Sequence, residues 1–214
     1  MKIRTLPIIL IFLLTACGEP VARNTGAYLL LDTSGTYSDE LDKAVHIINY
    51  TLTRLGPADS FAVARIDTGS FSEKDIVAKV TFDDRPSTTN RQKRQFSEKI
   101  AAFTSNIKAA PYTDITGGIL QAIEYLNEKE TGRKVIFIFS DMKEELAEGY
   151  VRDVPLELDG FEVVALNVTK LRADNIDPRL YLDRLEAWKT VVEAGGGTWR
   201  VINDLDRLEK LLGR

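Results

Sequence analysis

Three short stretches place oxygen-bearing side chains where apolar segments stop. Asp32-Thr33-Ser34-Gly35-Thr36 follows Leu29-Leu30-Leu31, Thr113-Asp114-Ile115-Thr116-Gly117-Gly118 opens a helix-like segment, and Ser140-Asp141 follows the apolar run Val135 to Phe139. An aspartate at a strand end with hydroxyls after it serves three chemistries: a phosphorylated nucleophile, one half of an acid-protease dyad, or a divalent-cation site. In a parallel sheet the strand ends converge on one edge, so Asp32, Ser34, Thr36, Thr113 and Asp141 can meet. Two carboxylates and three hydroxyls form an all-oxygen set, which suits a hard cation such as Mg2+ that keeps some of its water. His46 is the only histidine and falls on the polar side of a helix, so a zinc site or a Ser-His triad has no material.

The elements that must position these residues alternate along the chain. Ala27 to Leu31 and Val135 to Phe139 are continuous apolar runs, the pattern of strands buried on both faces. Phe61 to Ile66, Phe161 to Leu166 and Trp199 to Ile202 read as further strands, and Ile76 to Phe82 alternates as a half-exposed edge strand does. Ser38 caps a predicted helix with Asp39 and Glu40 in its first turn, an apolar stripe of Leu41, Ala44, Val45, Ile48, Leu52 and Leu55, and Gly56-Pro57 as its stop. Further helices are expected from about Arg91 to Ile107, Ile115 to Lys129 and Pro178 to Ala194, with a closing one that carries Leu205, Leu208, Leu211 and Leu212. Trp188 continues the stripe Tyr181, Leu185 and Val192 and is expected in the core. The alternation predicts an α/β sandwich, with helices on both faces of a mostly parallel sheet of roughly six strands and ligands at the carboxyl ends. The long connection 168–178, with Lys170, Arg172, Asp174 and Asn175, falls on that edge as a solvated loop or a partner-contacting rim.

Composition sets the limits. The 214 residues, 44% hydrophobic and 28% charged, suit one ordinary domain with a full core. Lys2 and Arg4 precede an apolar run from Leu6 to Leu14, which is a secretory signal and too short for a membrane span. Leu14-Thr15-Ala16-Cys17 resembles the lipobox of bacterial lipoproteins, and Cys17 is the only cysteine, so no internal disulfide forms. That resemblance implies removal of residues 1–16, lipidation of Cys17 and, because Gly18 follows rather than aspartate, sorting to the outer membrane with the domain facing the periplasm of a Gram-negative bacterium. Residues 17–26 then form a short tether spanning at most ~30 Å. Removing Lys2 and Arg4 from the 28 basic residues leaves 26 against 32 acidic ones, a net charge of −6 that disfavours nucleic acid. The basic run Arg91, Lys93 and Arg94 reads as a solvated helix face.

Residues 27–214 resemble the von Willebrand factor type A domain, the fold of integrin inserted domains. The metal-ion-dependent adhesion site of that family is written Asp-x-Ser-x-Ser, then a Thr, then an Asp. This chain offers Asp32-Thr33-Ser34-Gly35-Thr36, Thr113 within Thr-Asp-Ile, and Asp141, with Thr36 where Ser is usual and Met142 where Gly often follows. Gly195-Gly196-Gly197-Thr198-Trp199 is similar to the Gly-Gly before the family's last strand. The resemblance implies a three-layer, Rossmann-like fold with one antiparallel edge strand, and a bound Mg2+, with Mn2+ or Ca2+ as alternatives. It also implies that Ser34, Thr36 and sometimes Thr113 ligate directly, while Asp32 and Asp141 act partly through water. The resemblance further implies that a partner protein's Asp or Glu carboxylate completes the metal and that no reaction is catalysed; the membrane is expected to be met only through the lipid anchor.

Two enzyme readings stand beside it. Asp32-Thr33-Ser34-Gly35-Thr36 also resembles the phosphorylated Asp-Lys-Thr-Gly-Thr of P-type ATPases and their haloacid-dehalogenase relatives, which makes Asp32 the nucleophile of a Mg2+-dependent phosphatase. That chemistry needs a phosphate-holding lysine and a separate acidic motif, whereas Ser140 and Asp141 are adjacent on one strand. Asp67-Thr68-Gly69-Ser70 copies the aspartic-protease motif, but those proteins are all-β and need a second such loop, so a strand-end turn accounts for it better.

Overall fold

The computed structural model describes residues 23–34, 37, 40–66, 72–107 and 111–212. Cys17, Thr36, Ser38 and the Asp67-Thr68-Gly69-Ser70 stretch lie outside them, and the first helix has Glu40 rather than Ser38 at its cap position, with no side-chain cap bond. Six strands, β1 (Thr25–Asp32), β2 (Ser60–Ile66), β3 (Ile76–Thr81), β4 (Arg133–Phe139), β5 (Phe161–Leu166) and β6 (Thr198–Ile202), form one sheet in the order β3-β2-β1-β4-β5-β6. All neighbours are parallel except β2 and β3. The helices are α1 (Leu41–Arg54), α2 (Pro86–Thr104), α3 (Ile115–Glu128), α4 (Arg172–Ile176), α5 (Arg179–Ala194) and α6 (Leu205–Leu212).

The strand residues sort themselves between two cores by the period-2 alternation of a pleated strand. Ala27, Leu29 and Leu31 of β1 join Val135, Phe137 and Phe139 of β4 against α1, α2 and α6. Tyr28 and Leu30, with Ile136 and Ile138, face the opposite layer of α3 and α5. Both faces of β1 and β4 are therefore dry, which is why their sequences are apolar without interruption. Each buried leucine there contributes ~1.5–3 kcal/mol. Trp188 is core as expected, at 9% exposure.

Three expectations need correction. The helix expected from Arg91 begins at Pro86, because proline fits the first helical turn, where its missing N–H has no partner to lose. Thr89 fastens that turn by donating its hydroxyl to the Asp83 carbonyl at 2.6 Å. Lys93 is not simply solvated, since its ammonium donates to the Leu55 carbonyl beside the Phe82 ring. The connection 168–178 contains α4, and Asp174 is 1% exposed, held by the Arg184 guanidinium at 2.7 and 3.2 Å rather than offered to a partner.

Candidate metal centre

Strand order reverses between β1 and β4: the chain runs outward through β2 and β3 on one side and through β5 and β6 on the other. The crossovers therefore diverge and leave a crevice at the carboxyl ends of these two strands. Asp32 ends β1, and Ser140-Asp141 follows β4, so the two strands deliver both carboxylates to that crevice.

The Asp32 carboxylate is 1% exposed and fully oriented, with Oδ1 accepting from the Ser34 backbone N–H at 2.8 Å and Oδ2 from the Ser140 hydroxyl at 2.6 Å. Ser140 in turn accepts from the Met142 N–H at 3.0 Å. The sequence reading passed over Ser140 as a site residue, although its place directly before Asp141 at a strand end is the signal that would have found it. Asp141, 4% exposed, accepts from the Lys143 N–H at 2.8 Å through Oδ1, and its carbonyl is held by Arg184 Nε at 2.9 Å. Among the described residues nothing donates to its Oδ2. Met142 follows with φ 66°, the left-handed region that favours glycine and explains the family preference there. Its buried side chain and the Trp188 indole N–H on its carbonyl, at 2.9 Å, hold the strained residue in place.

Thr113 stands just ahead of α3. Asp114 caps that helix by accepting from the Gly117 N–H at 2.7 Å, and a Cβ on Gly117 would stand 2.5 Å from the same carboxylate. A Cβ on Gly118 would stand 3.0 Å from the Leu30 side chain, so the bare glycine lets α3 sit close on β1. The segment after Asp141 then clamps the start of α3. Thr113 and Glu145 exchange backbone hydrogen bonds at 2.8 and 2.9 Å, Glu144 accepts from the Thr116 N–H at 2.7 Å, and Arg152 pairs with the fully buried Asp114 at 2.6 Å. Ser34 and Thr113 are 8% and 2% exposed; Ser34 follows β1 beside Asp32, and Thr113 is tied to the segment that follows Asp141. On the β5 side, the Tyr37 hydroxyl donates to the Asn167 carbonyl while its ring packs on Phe139, which holds Tyr37 itself in place.

The donor set fits a hard cation. Burial, opposed by the Lys143 N–H and reinforced by the charge of Asp32, pushes the Asp141 carboxyl up to about 6. No basic side chain is bonded to either carboxylate among the described residues, although Arg184 and Lys143 lie near enough to Asp141 to offset part of the upward push. No three His, Cys, Asp or Glu side chains converge among the described residues, so a cation there would need hydroxyl oxygens or water beside the two carboxylates.

A pH dependence follows. A carboxyl raised in the folded state takes up a proton on folding, so the metal-free protein loses stability as pH rises from about 4 to about 6 and stays lower above that. Asp141→Asn keeps the acceptor for the Lys143 N–H and removes the charge. It should flatten this dependence and raise metal-free stability at pH 7.5 by on the order of 1–2 kcal/mol. Denaturant unfolding at pH 5 and 7.5 in EDTA checks it, and a variant less stable than wild type at pH 7.5 would contradict the assignment.

No protein-family model matches this sequence, and no curated protein matches it. Solved structures do. A von Willebrand factor type A protein from Catenulispora acidiphila superposes with a TM-score of 0.56 at 13% identity, over 89% of this chain and 41% of that one. The open conformation of the pilus adhesin SpaC from Lactobacillus rhamnosus GG gives 0.57 at 12% identity, over 89% of this chain and 29% of the adhesin. This chain thus spans less than half the length of either protein. The strand order, the antiparallel edge and these superpositions together identify the fold as that of a von Willebrand factor type A domain.

Proposed function

We propose that this domain captures a partner protein through a divalent cation, Mg2+ first among them, and catalyses no reaction. The observation that carries the reading is the meeting of Asp32 and Asp141 at the switch point between β1 and β4, both buried and neither carboxylate bonded to a basic side chain among the described residues. When bound, a divalent cation supplies an electrophilic site that a partner's Asp or Glu carboxylate completes. Ser34, Thr36 and Thr113 would hold it by their hydroxyls, with Asp32 and Asp141 behind them. Thr36 is assigned by its spacing from Asp32. A pilus adhesin among the proteins of this fold accords with a capture role. The phosphatase reading has less support, since it needs a phosphate-holding lysine and no basic side chain is bonded to Asp32 among the described residues.

The test is capture from solubilised bacterial membranes by the immobilised protein in Mg2+ and in EDTA. A partner retained in Mg2+ and released by EDTA supports the proposal, and identical retention in both sinks it. Phosphatase turnover that Asp32→Asn abolishes would establish the enzyme reading instead.

The remaining parts of the proposal are the signal at residues 1–16, lipidation of Cys17, the tether to residue 26 and a place on the outer membrane facing the periplasm. No helix among the described residues is long and apolar enough to cross a membrane. Cys17→Ala should release the protein from membrane fractions or leave an uncleaved precursor. Wild-type fractionation with an unchanged N-terminus would refute the anchor.

A further inference from the structure

β6 is the last strand of its side of the sheet, paired with β5 and with no strand beyond it among the described residues. Outward backbone N–H and C=O groups on such a strand have no sheet partner and offer a template for another chain. Alternation sends Trp199 and Val201 toward the α5 layer, and Arg200 and Ile202 toward α6. Between the β6 edge and α6 runs a groove of about 410 Å3 lined by Arg200, Val201, Ile202, Arg207, Lys210 and Leu211.

The three cations in that groove are exposed, and none forms an ion pair with a described residue. Among the residues that line the groove these three are the charged ones, and all are basic. They also decide what the edge accepts. A second copy docking β6 to β6 would set Arg200 and the α6 cations of both molecules against each other, which disfavours self-pairing. An acidic strand meets attraction instead.

We propose that the β6 edge receives an extended acidic peptide from another protein as a seventh strand. The peptide backbone pairs with β6, and alternate Glu or Asp side chains meet Arg200, Arg207 and Lys210. The site lies two strands away from the Asp32–Asp141 crevice and needs no metal, so it stands or falls independently of the cation site.

The probe is a fluorescein-labelled seven-residue peptide of alternating Glu and Val, followed by anisotropy at low salt in EDTA. Two further peptides carry N-methyl groups on alternate backbone nitrogens, one in each phase, and a fourth has Lys for Glu. The Glu peptide should bind, and the Lys peptide should not. One N-methyl phase should weaken binding at least roughly tenfold and the other leave it nearly intact, because only one set of N–H groups faces β6. Arg200→Glu with Arg207→Glu should weaken binding by roughly tenfold or more at an unchanged melting temperature. Amide exchange at Arg200 to Ile202 should slow in the complex. Equal binding by both N-methyl peptides would reduce the groove to a nonspecific polyanion surface. Absence of binding, or indifference to the charge reversal, would also overturn the proposal.

Discussion

Replacing Arg152 with alanine is expected to cost about 3–5 kcal/mol of stability, the range for stranding one member of a buried ion pair. Asp114 is fully buried and receives Arg152 Nη2 at 2.6 Å and Nε at 3.0 Å, while its other role is to cap α3. Without the guanidinium, the carboxylate stays in a dry site with only the Gly117 N–H to satisfy it. For a domain of this size the loss corresponds to a fall in Tm of roughly 10 °C. Asp114→Asn on the Arg152→Ala background retains the cap acceptor and removes the stranded charge, so it should recover a large part of the loss. Urea unfolding of the two single variants and the double variant measures the coupling. A cost below about 1 kcal/mol for Arg152→Ala would class the pair with ordinary surface bridges.

Loss of Mg2+ binding should be complete in Asp32→Ala and Thr36→Val, and absent in Thr36→Ser. Thr36→Val preserves shape and removes the hydroxyl, whereas Thr36→Ser preserves the donor oxygen. Asp32→Ala removes a charge and also the acceptor that orients Ser34 N–H and Ser140. A ligand that binds only the native state at a hundred times its Kd adds ~2.7 kcal/mol, so wild-type and Thr36→Ser melts should rise with Mg2+ while the other two stay flat. Calorimetric titration of the four proteins decides the matter. Heat of binding that survives in Thr36→Val would remove that residue from the site.

The sheet was legible because its strands are unambiguous. β5 was expected from Phe161 to Leu166 and forms there, and the alternation of Ile76 to Phe82 marked the edge strand. The carboxylates were legible for the same reason, since an aspartate directly after a two-faced apolar strand has one place to go. What the sequence hid were partnerships between distant loops. The crossover from β4 to β5 has no long helix. It runs through irregular chain, with Leu156 and Leu158 buried, and has no periodicity to read. Arg152 and Glu144 belong to that stretch, so their grip on α3 is a product of tertiary folding. Arg184 was equally hidden, since nothing local tells a helical arginine that its partners are Asp174 and the Asp141 carbonyl. The early start of α2 was in plain view in Pro86, and the polar residues after it masked it.

The central place of β1 has a consequence for the order of assembly. Made first, β1 finds β2 and β3 early, because both follow within fifty residues of its end. Its other neighbour comes late: Asp32 and Ser140 are 108 positions apart, so the β4 side of this buried strand stays unpaired until two thirds of the chain exists. Closure of so long a loop slows folding and leaves a sticky half-sheet in the meantime. Changes that loosen β4 should therefore appear first as aggregation of newly made protein, before any defect shows in molecules that have already folded.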